Sequence, residues 1–303
     1  MQVQAQKILD EASQVLLDKN TEIEKSLICI LARGHLLIED LPGVGKTTLV
    51  QVLAKLMGLQ SSRVQFTNDL LPADVLGNMV FDSENKNFKF HKGPVFAQLV
   101  LADELNRANP RTQSALLQAM EESEVTLDGN HYALPEPFCL IATQNPRSQV
   151  GTSPLPESQL DRFLMSLELS FAGIEAEKKI IQGLDAREKM KHLKPVLGTH
   201  EVIKMQEQAE KVHVSDKVAQ YISALLQYSR HRTGLTPLSI RAGMALAKAG
   251  RACAFLQERD YVIPDDIQKI AVEVLAHRLG GLEGVAKGRG IAHELLREVA
   301  VLA

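Results

Sequence analysis

Between an apolar run, Leu36, Leu37 and Ile38, and a helical stripe of Leu49, Val50, Val52, Leu53 and Leu56 lies the segment Asp40-Leu41-Pro42-Gly43-Val44-Gly45-Lys46-Thr47. A strand, a glycine-rich turn and a helix start in that order form a phosphate cradle. Successive backbone N–H groups point inward, and the positive end of the helix dipole lies behind them. Lys46 is placed to reach β- and γ-phosphates, and the Thr47 hydroxyl to ligate Mg²⁺. Pro42, Gly43, Val44, Gly45, Lys46, Thr47 and Thr48 are therefore the candidate phosphate-binding residues. The pattern G-x-x-x-x-G-K-[ST] asks for glycine where this chain has Asp40. A chance Gly-Lys-Thr in a surface loop is the competing reading, and the strand before it and the helix after it weigh against that.

The 303 residues leave room for one large or two medium domains, and 45% apolar residues are ordinary for a globular chain. No stretch approaches the about 20 uninterrupted apolar residues of a membrane span. The start, Met1 to Lys7, lacks the charged-then-apolar pattern of an export signal, so a cytoplasmic location is expected. Cys29, Cys139 and Cys253 lie far apart within apolar patterns and read as buried thiols, not as a disulfide framework or a zinc site. A net charge of −3, with no basic arm, argues against a dedicated duplex-DNA binder.

Residues 1 to about 32 read as helices. Strands are predicted at His35–Glu39, Arg63–Thr67, Leu99–Ala102, Phe138–Ala142 and Leu167–Leu169, with a helix over Thr112–Glu122. Residues 71 to 94 look irregular apart from one predicted hairpin, which pairs Met79–Phe81 with Phe88–Phe90; a second pairs Val125–Leu127 with Tyr132–Leu134. After about residue 175 the strand signals stop. Three helices are predicted there: one capped by Ser215, one from about Ser239 to Gln257, and one opening at Pro264-Asp265-Asp266. The expected fold is an α/β core over 1–175 with a parallel sheet flanked by helices, then an all-α domain over 176–303.

The strand Leu99–Ala102 ends in Asp103 and Glu104. An acid at the end of a buried strand facing a P-loop can hold Mg²⁺ through its water shell, and the next acid can take a proton from an attacking water. Asn145, after the following strand, is placed to hydrogen-bond a γ-phosphate or orient that water. Arg162 either pairs with Asp161 on its own surface or serves as an arginine finger toward a neighbouring subunit, and the sequence alone does not choose.

Taken in order, these segments resemble the MoxR family of AAA+ ATPases over essentially the whole chain. The resemblance is carried by Leu36–Thr47, Gln65–Asp74, Gly93–Ala97, Ala102–Ala108, Thr112–Leu117, Ala142–Pro146 and Leu160–Phe163. It implies a P-loop AAA+ core and a helical lid, assembled as a hexameric ring that hydrolyses ATP with Mg²⁺. It implies Walker A at Lys46 and Thr47, Walker B at Asp103 and Glu104, sensor 1 at Asn145, the arginine finger at Arg162 and sensor 2 at Arg241. The family's Gly-Ala-Ser-Pro-Arg-Ala run is altered here at Pro237, Leu238 and Ile240, which makes Arg241 the least anchored of these positions. The hairpins are expected to face the ring pore or a partner. The resemblance further implies a chaperone-like role toward a partner carrying a von Willebrand factor A-type domain, in maturation or metal loading. A nucleic-acid motor and a nucleotide-gated scaffold are the alternatives; the acidic balance weighs against the first and an intact Glu104 and Arg162 against the second.

Overall fold

A computed structural model of the chain describes residues 2–39, 43–144, 153–183, 185–233, 235–281 and 284–301. Two helices come first, α1 (Gln2–Val15) and α2 (Asn20–Leu31), then β1 (Leu36–Glu39), α3 (Lys46–Leu56), β2 (Ser61–Gln65) and the short α4 (Pro72–Leu76). A hairpin of β3 (Gly77–Asp82) and β4 (Asn87–Lys92) precedes β5 (Leu99–Asp103) and α5 (Pro110–Glu122). A second hairpin of β6 (Glu124–Leu127) and β7 (Asn130–Ala133) precedes β8 (Cys139–Gln144), the single turn α6 (Glu157–Leu160) and β9 (Met165–Leu167). Five strands form one sheet in the order β2-β5-β8-β1-β9, and every pairing within it is parallel.

The apolar runs of the central strands are explained by burial on both faces. Leu36, Ile38, Leu99, Leu101, Cys139 and Ile141 point into one core, shared with α1, α2, α3 and the helices after residue 174. Leu37, Val100, Ala102, Leu140 and Ala142 point into the other, beneath α5. Side chains alternate along a strand, so two covered faces leave no polar position between them. A parallel sheet also gathers the carboxyl ends of its strands on one edge, which brings the last residues of β1, β5 and β8 together.

The two hairpins pack on each other. Phe90 of β4 stacks on Tyr132 of β7 with ring centroids 4.0 Å apart. On the outer part of the first hairpin, Phe81 and Phe88 sit in register and are more than half exposed. The bounds of this first hairpin run one to two residues beyond those read from sequence, β7 of the second ends one residue before the expected Leu134, and α4 occupies part of the stretch expected to be irregular.

Where three helices were expected after residue 175, the described residues form seven: α7 (Ile174–Ile181), α8 (Ala186–His192), α9 (Thr199–Glu210), α10 (Asp216–His231), α11 (Ile240–Leu256), α12 (Pro264–Leu279) and α13 (Val285–Glu298). The expected caps are present, with Ser215 and Ser239 accepting from the N–H groups of Val218 and Ala242. Helices α7 and α8 bury no side chain, so they carry no inward stripe to read. Helix α13 packs tightly on α12 through Gly288, where a Cβ would lie 1.8 Å from the Ala276 carbonyl oxygen. The buried side of α13 is Val285, Gly288, Ala292 and Leu295, so its two middle positions are small and let α12 approach closely.

The N-terminal helices are tied to this helical layer. Lys25 of α2 pairs with the buried Glu273 of α12 at 2.7 Å. All three cysteines are buried free thiols, and burial pushes the Cys139 thiol up to about 12. No described helix is long and apolar enough to cross a membrane.

Candidate active site

The turn after β1 makes the first wall. Gly43 and Gly45 have φ of +90° and +98°, in the left-handed half of backbone space where L side chains are strained. Gly45 caps α3, so Lys46, Thr47 and Thr48 occupy the first turn, with their N–H groups lacking helical acceptors. Among the described residues nothing lies within 4 Å of where a Cβ of Gly43 would sit, which leaves room on that side for an approaching phosphate. The Val44 side chain instead packs against the core and anchors the turn from behind. Asp40, Leu41 and Pro42 lie outside the described residues, as does Asn145.

The second wall comes from β5 and β2. Gly43, Gly45, Lys46, Thr47, Thr48, Asp103 and Glu104 line one cavity of about 380 Å³, together with Arg63 and Gln65. Asp103 is buried. Its Oδ1 accepts from the Thr143 hydroxyl at 2.7 Å, and its Oδ2 accepts from Arg63 Nη2 at 2.6 Å. Thr143 Oγ1 in turn accepts from the Glu104 N–H at 2.8 Å. Glu104 is held in the left-handed region, with φ of +57°, so its side chain turns away from the line of β5. Gln65 Nε2 and Arg107 Nη1 both donate to Glu104 Oε2, at 2.8 and 2.9 Å.

Arg63, Gln65 and Thr143 were not singled out from the sequence. Arg63 and Gln65 alternate on β2, and the parallel register sets Gln65 beside Asp103. Their polar period was the available signal. Thr143 carried none, because a threonine ending an apolar strand is unremarkable until β8 lies beside β5.

The donor set suits Mg²⁺. Carboxylate and hydroxyl oxygens are hard ligands, and this ion keeps much of its water shell and needs few protein groups. Among the described residues there is no cluster of three or more His, Cys, Asp or Glu that could form an all-protein metal cage. The Arg63 guanidinium is half exposed. Ion pairs of that kind contribute about 0–1 kcal/mol, so a cation at Asp103 would displace little.

Arg162 and Arg241 lie elsewhere. They line a second cavity, of about 330 Å³, with Arg33, Gly34, His35, Glu121 and Lys248. Gly34 and His35 precede β1, whereas Gly43 follows it. The two cavities therefore open at opposite ends of a four-residue strand, about 13 Å long at 3.3 Å per residue. Glu121, the penultimate residue of α5, bridges both arginines. Its Oε1 accepts from Arg241 Nη2 at 2.6 Å, and its Oε2 lies 3.1 Å from Arg162 Nε. That second approach is an ion pair without hydrogen-bond alignment, because Arg162 Nε is buried and has no acceptor among the described residues. The chain thus brings the Walker A and B candidates together and gathers the two arginine candidates in a separate place.

Comparison with known proteins bears on the family and the fold. Residues 35–165 match the family model described as ATPase family associated with various cellular activities, and residues 231–297 match that of the AAA lid domain. The chain is 42% identical over 295 residues to the uncharacterised Bacillus subtilis protein YeaC, covering 97% of this chain and 92% of that one. It is 35% identical over 279 residues to Chaperone MoxR1 of Mycobacterium tuberculosis, covering 89% and 74%. A crystal structure of a provisionally assigned ATPase from Cytophaga hutchinsonii superposes with a TM-score of 0.88 at 35% identity, covering 100% of this chain and 96% of that one.

Proposed function

Because this chain belongs to the MoxR family of AAA+ ATPases, we propose that it hydrolyses ATP to ADP and phosphate at sites shared between neighbouring copies of itself. The cycle drives chaperone-like remodelling of a partner protein. The observation that carries this reading is the single cavity in which Gly43, Gly45, Lys46 and Thr47 face Asp103 and Glu104.

The N–H groups of the turn and of the first turn of α3 receive the β- and γ-phosphates, and Lys46 neutralises them. Thr47 and Asp103 hold Mg²⁺, which supplies charge neutralisation at the phosphate oxygens. Glu104, turned out of the strand line by its left-handed backbone, takes the proton of the attacking water. Asn145 orients that water. Arg162 and Arg241 complete the site of the adjacent copy, since they lie at the far end of β1 from their own P-loop. Such an arginine adds about 10³–10⁵ to the rate in related NTPases. The ring is hexameric. The paired hairpins, with Phe81 and Phe88 exposed, contact the client. That client carries a von Willebrand factor A-type domain and is matured or loaded with metal.

Phosphate release by three variants tests the proposal. Lys46→Ala should lose ATP binding, and Glu104→Gln should bind ATP without turnover. Arg162→Ala should keep nucleotide affinity and lose turnover. Normal ATP affinity in the first variant sinks the P-loop assignment, and full turnover in the third sinks the shared site.

A further inference from the structure

We infer that Arg278, with His277 beside it, is the positioning residue for Arg162, and that it makes the arginine segment and helix α12 a single moving part. The inference rests on the trans-acting role proposed above for Arg162.

Arg278 lies in the last turn of α12, and its side chain is only 6% exposed. A guanidinium has five N–H donors and no acceptor. Here it makes five contacts, and four of them reach the residues around Arg162. Nε donates to Asp161 Oδ1 at 2.7 Å, and Nη2 donates to the carbonyl oxygens of Asp161 and Phe163 at 3.2 and 2.8 Å. Nη1 donates to the Leu164 carbonyl at 3.3 Å and to the Val274 carbonyl of its own helix. The backbone is thus gripped on both sides of Arg162 by one side chain.

His277 adds a second hold. Its Nε2 lies 3.0 Å from the Phe163 carbonyl oxygen, which can only accept, so Nε2 carries the proton. Helix α11 supplies a third tie, from Ser239 Oγ at its start to Asp161 Oδ2 at 3.2 Å. Among the described residues Arg162 has no such anchor at its head, which makes only the misaligned approach to Glu121. The segment is fixed from below, while its guanidinium stays available to another partner. Any shift of α12 is then delivered to the neighbour's phosphates, and lysine at position 278 could not reproduce it, because three donors on one atom cannot span Asp161, Phe163 and Leu164.

Mixed assemblies of the full chain test this. Arg162→Ala subunits keep an intact P-loop but need an arginine from their neighbour. Lys46→Ala subunits cannot bind ATP but carry that arginine. Mixing the two should restore ATP turnover. Lys46→Ala subunits that also carry Arg278→Lys should enter the mixed assemblies equally, as read by tag capture, yet restore at least tenfold less kcat, with KM for ATP unchanged. Equal rescue by the incorporated double variant overturns the inference. If Arg278→Lys does not incorporate, Asp161→Asn replaces it under the same criterion, since that side chain is partly exposed. Absence of rescue by Lys46→Ala alone, where Arg278 is intact, instead removes the trans-acting reading and the inference with it.

Discussion

Thr143→Val is the most informative single change outside the phosphate cradle, because it keeps shape and removes one oxygen. The hydroxyl is fully buried and has two partners: it donates to Asp103 Oδ1 and accepts from the Glu104 N–H. Valine takes this acceptor from the Glu104 N–H and one of the bonds from a buried carboxylate. Each such loss costs about 1–3 kcal/mol. Arg63 still satisfies the other Asp103 oxygen, and the added methyl recovers part of the loss, so a net loss of about 2–4 kcal/mol is expected. Unfolding entropy of about 2.1 cal/mol/K per residue amounts to roughly 0.64 kcal/mol/K over 303 residues, so Tm should fall by about 3–6 °C.

The same change should also slow turnover. Glu104 sits at φ of +57°, a conformation that costs a non-glycine residue about 1 kcal/mol or more, and the Thr143 oxygen is what its N–H is tied to. Freed from that tie, the backbone relaxes toward extended geometry and the carboxylate leaves its position. Misplacement on the scale of 1 Å costs up to about 100-fold, so kcat should drop by about 10–100-fold, with ATP affinity nearly unchanged. Calorimetry and steady-state phosphate release read the two effects, and Thr143→Ser should restore both. A Thr143→Val protein with wild-type Tm and kcat would refute the idea that this hydroxyl holds Asp103 and Glu104 together.

Two further outcomes are expected. Gly45→Ala has space, since the nearest atom to the new Cβ is Leu16 Cδ2 at 3.8 Å, but φ of +98° strains it by about 1–2 kcal/mol. Tm should fall by a few degrees and ATP should bind more weakly; an unchanged melting curve would show that the turn tolerates a side chain. Stability should also depend on pH through His277, which burial and then the neighbouring Arg278 hold neutral, well below its ordinary 6.5. The unfolded chain takes that proton first, so stability is intact above about pH 6.5 and declines as pH falls toward the folded value. His35, lowered to about 4 chiefly by burial, acts in the same direction and contributes at most about 2 kcal/mol of loss by pH 5. Urea unfolding at pH 7.5, 6 and 5 reads the slope, and His277→Gln with an identical slope would exclude its share.

The parts legible in the sequence are those whose signal is local. The P-loop declares itself by strand, glycines and helix within about twenty residues, and the buried strands by apolar runs that sheet burial on both faces demands. Helix caps at Ser215 and Ser239 are likewise set by the next three residues. What stayed hidden depends on register between distant strands. The Thr143 hydrogen bond to Asp103 joins residues 40 apart, and that of Arg63 spans the same separation in the other direction. The Arg278 grip on Asp161 spans 117 residues. No local period encodes such a contact. Arg162 shows the boundary most clearly: its pairing with Asp161 was the plain alternative, yet Asp161 is engaged by Ser239 and Arg278, and Arg162 turns to Glu121.

That arrangement bears on how copies must meet. Glu121 joins Arg162 and Arg241 into one feature at the start of β1, while the phosphate cradle opens beyond its end. If the first completes the second on another copy, the two contacting surfaces are different patches, and the interface is heterologous. Heterologous contacts close into rings when the rotation between copies permits and otherwise extend as filaments. A two-fold dimer with identical patches in contact is then excluded as the active unit. Turnover per subunit should rise steeply with protein concentration and level off once the assembly closes. A rate per subunit that is flat from dilute monomer upward would mean that each copy completes its own site, and the separation of the two cavities along β1 would then need to be closed by movement within a single chain.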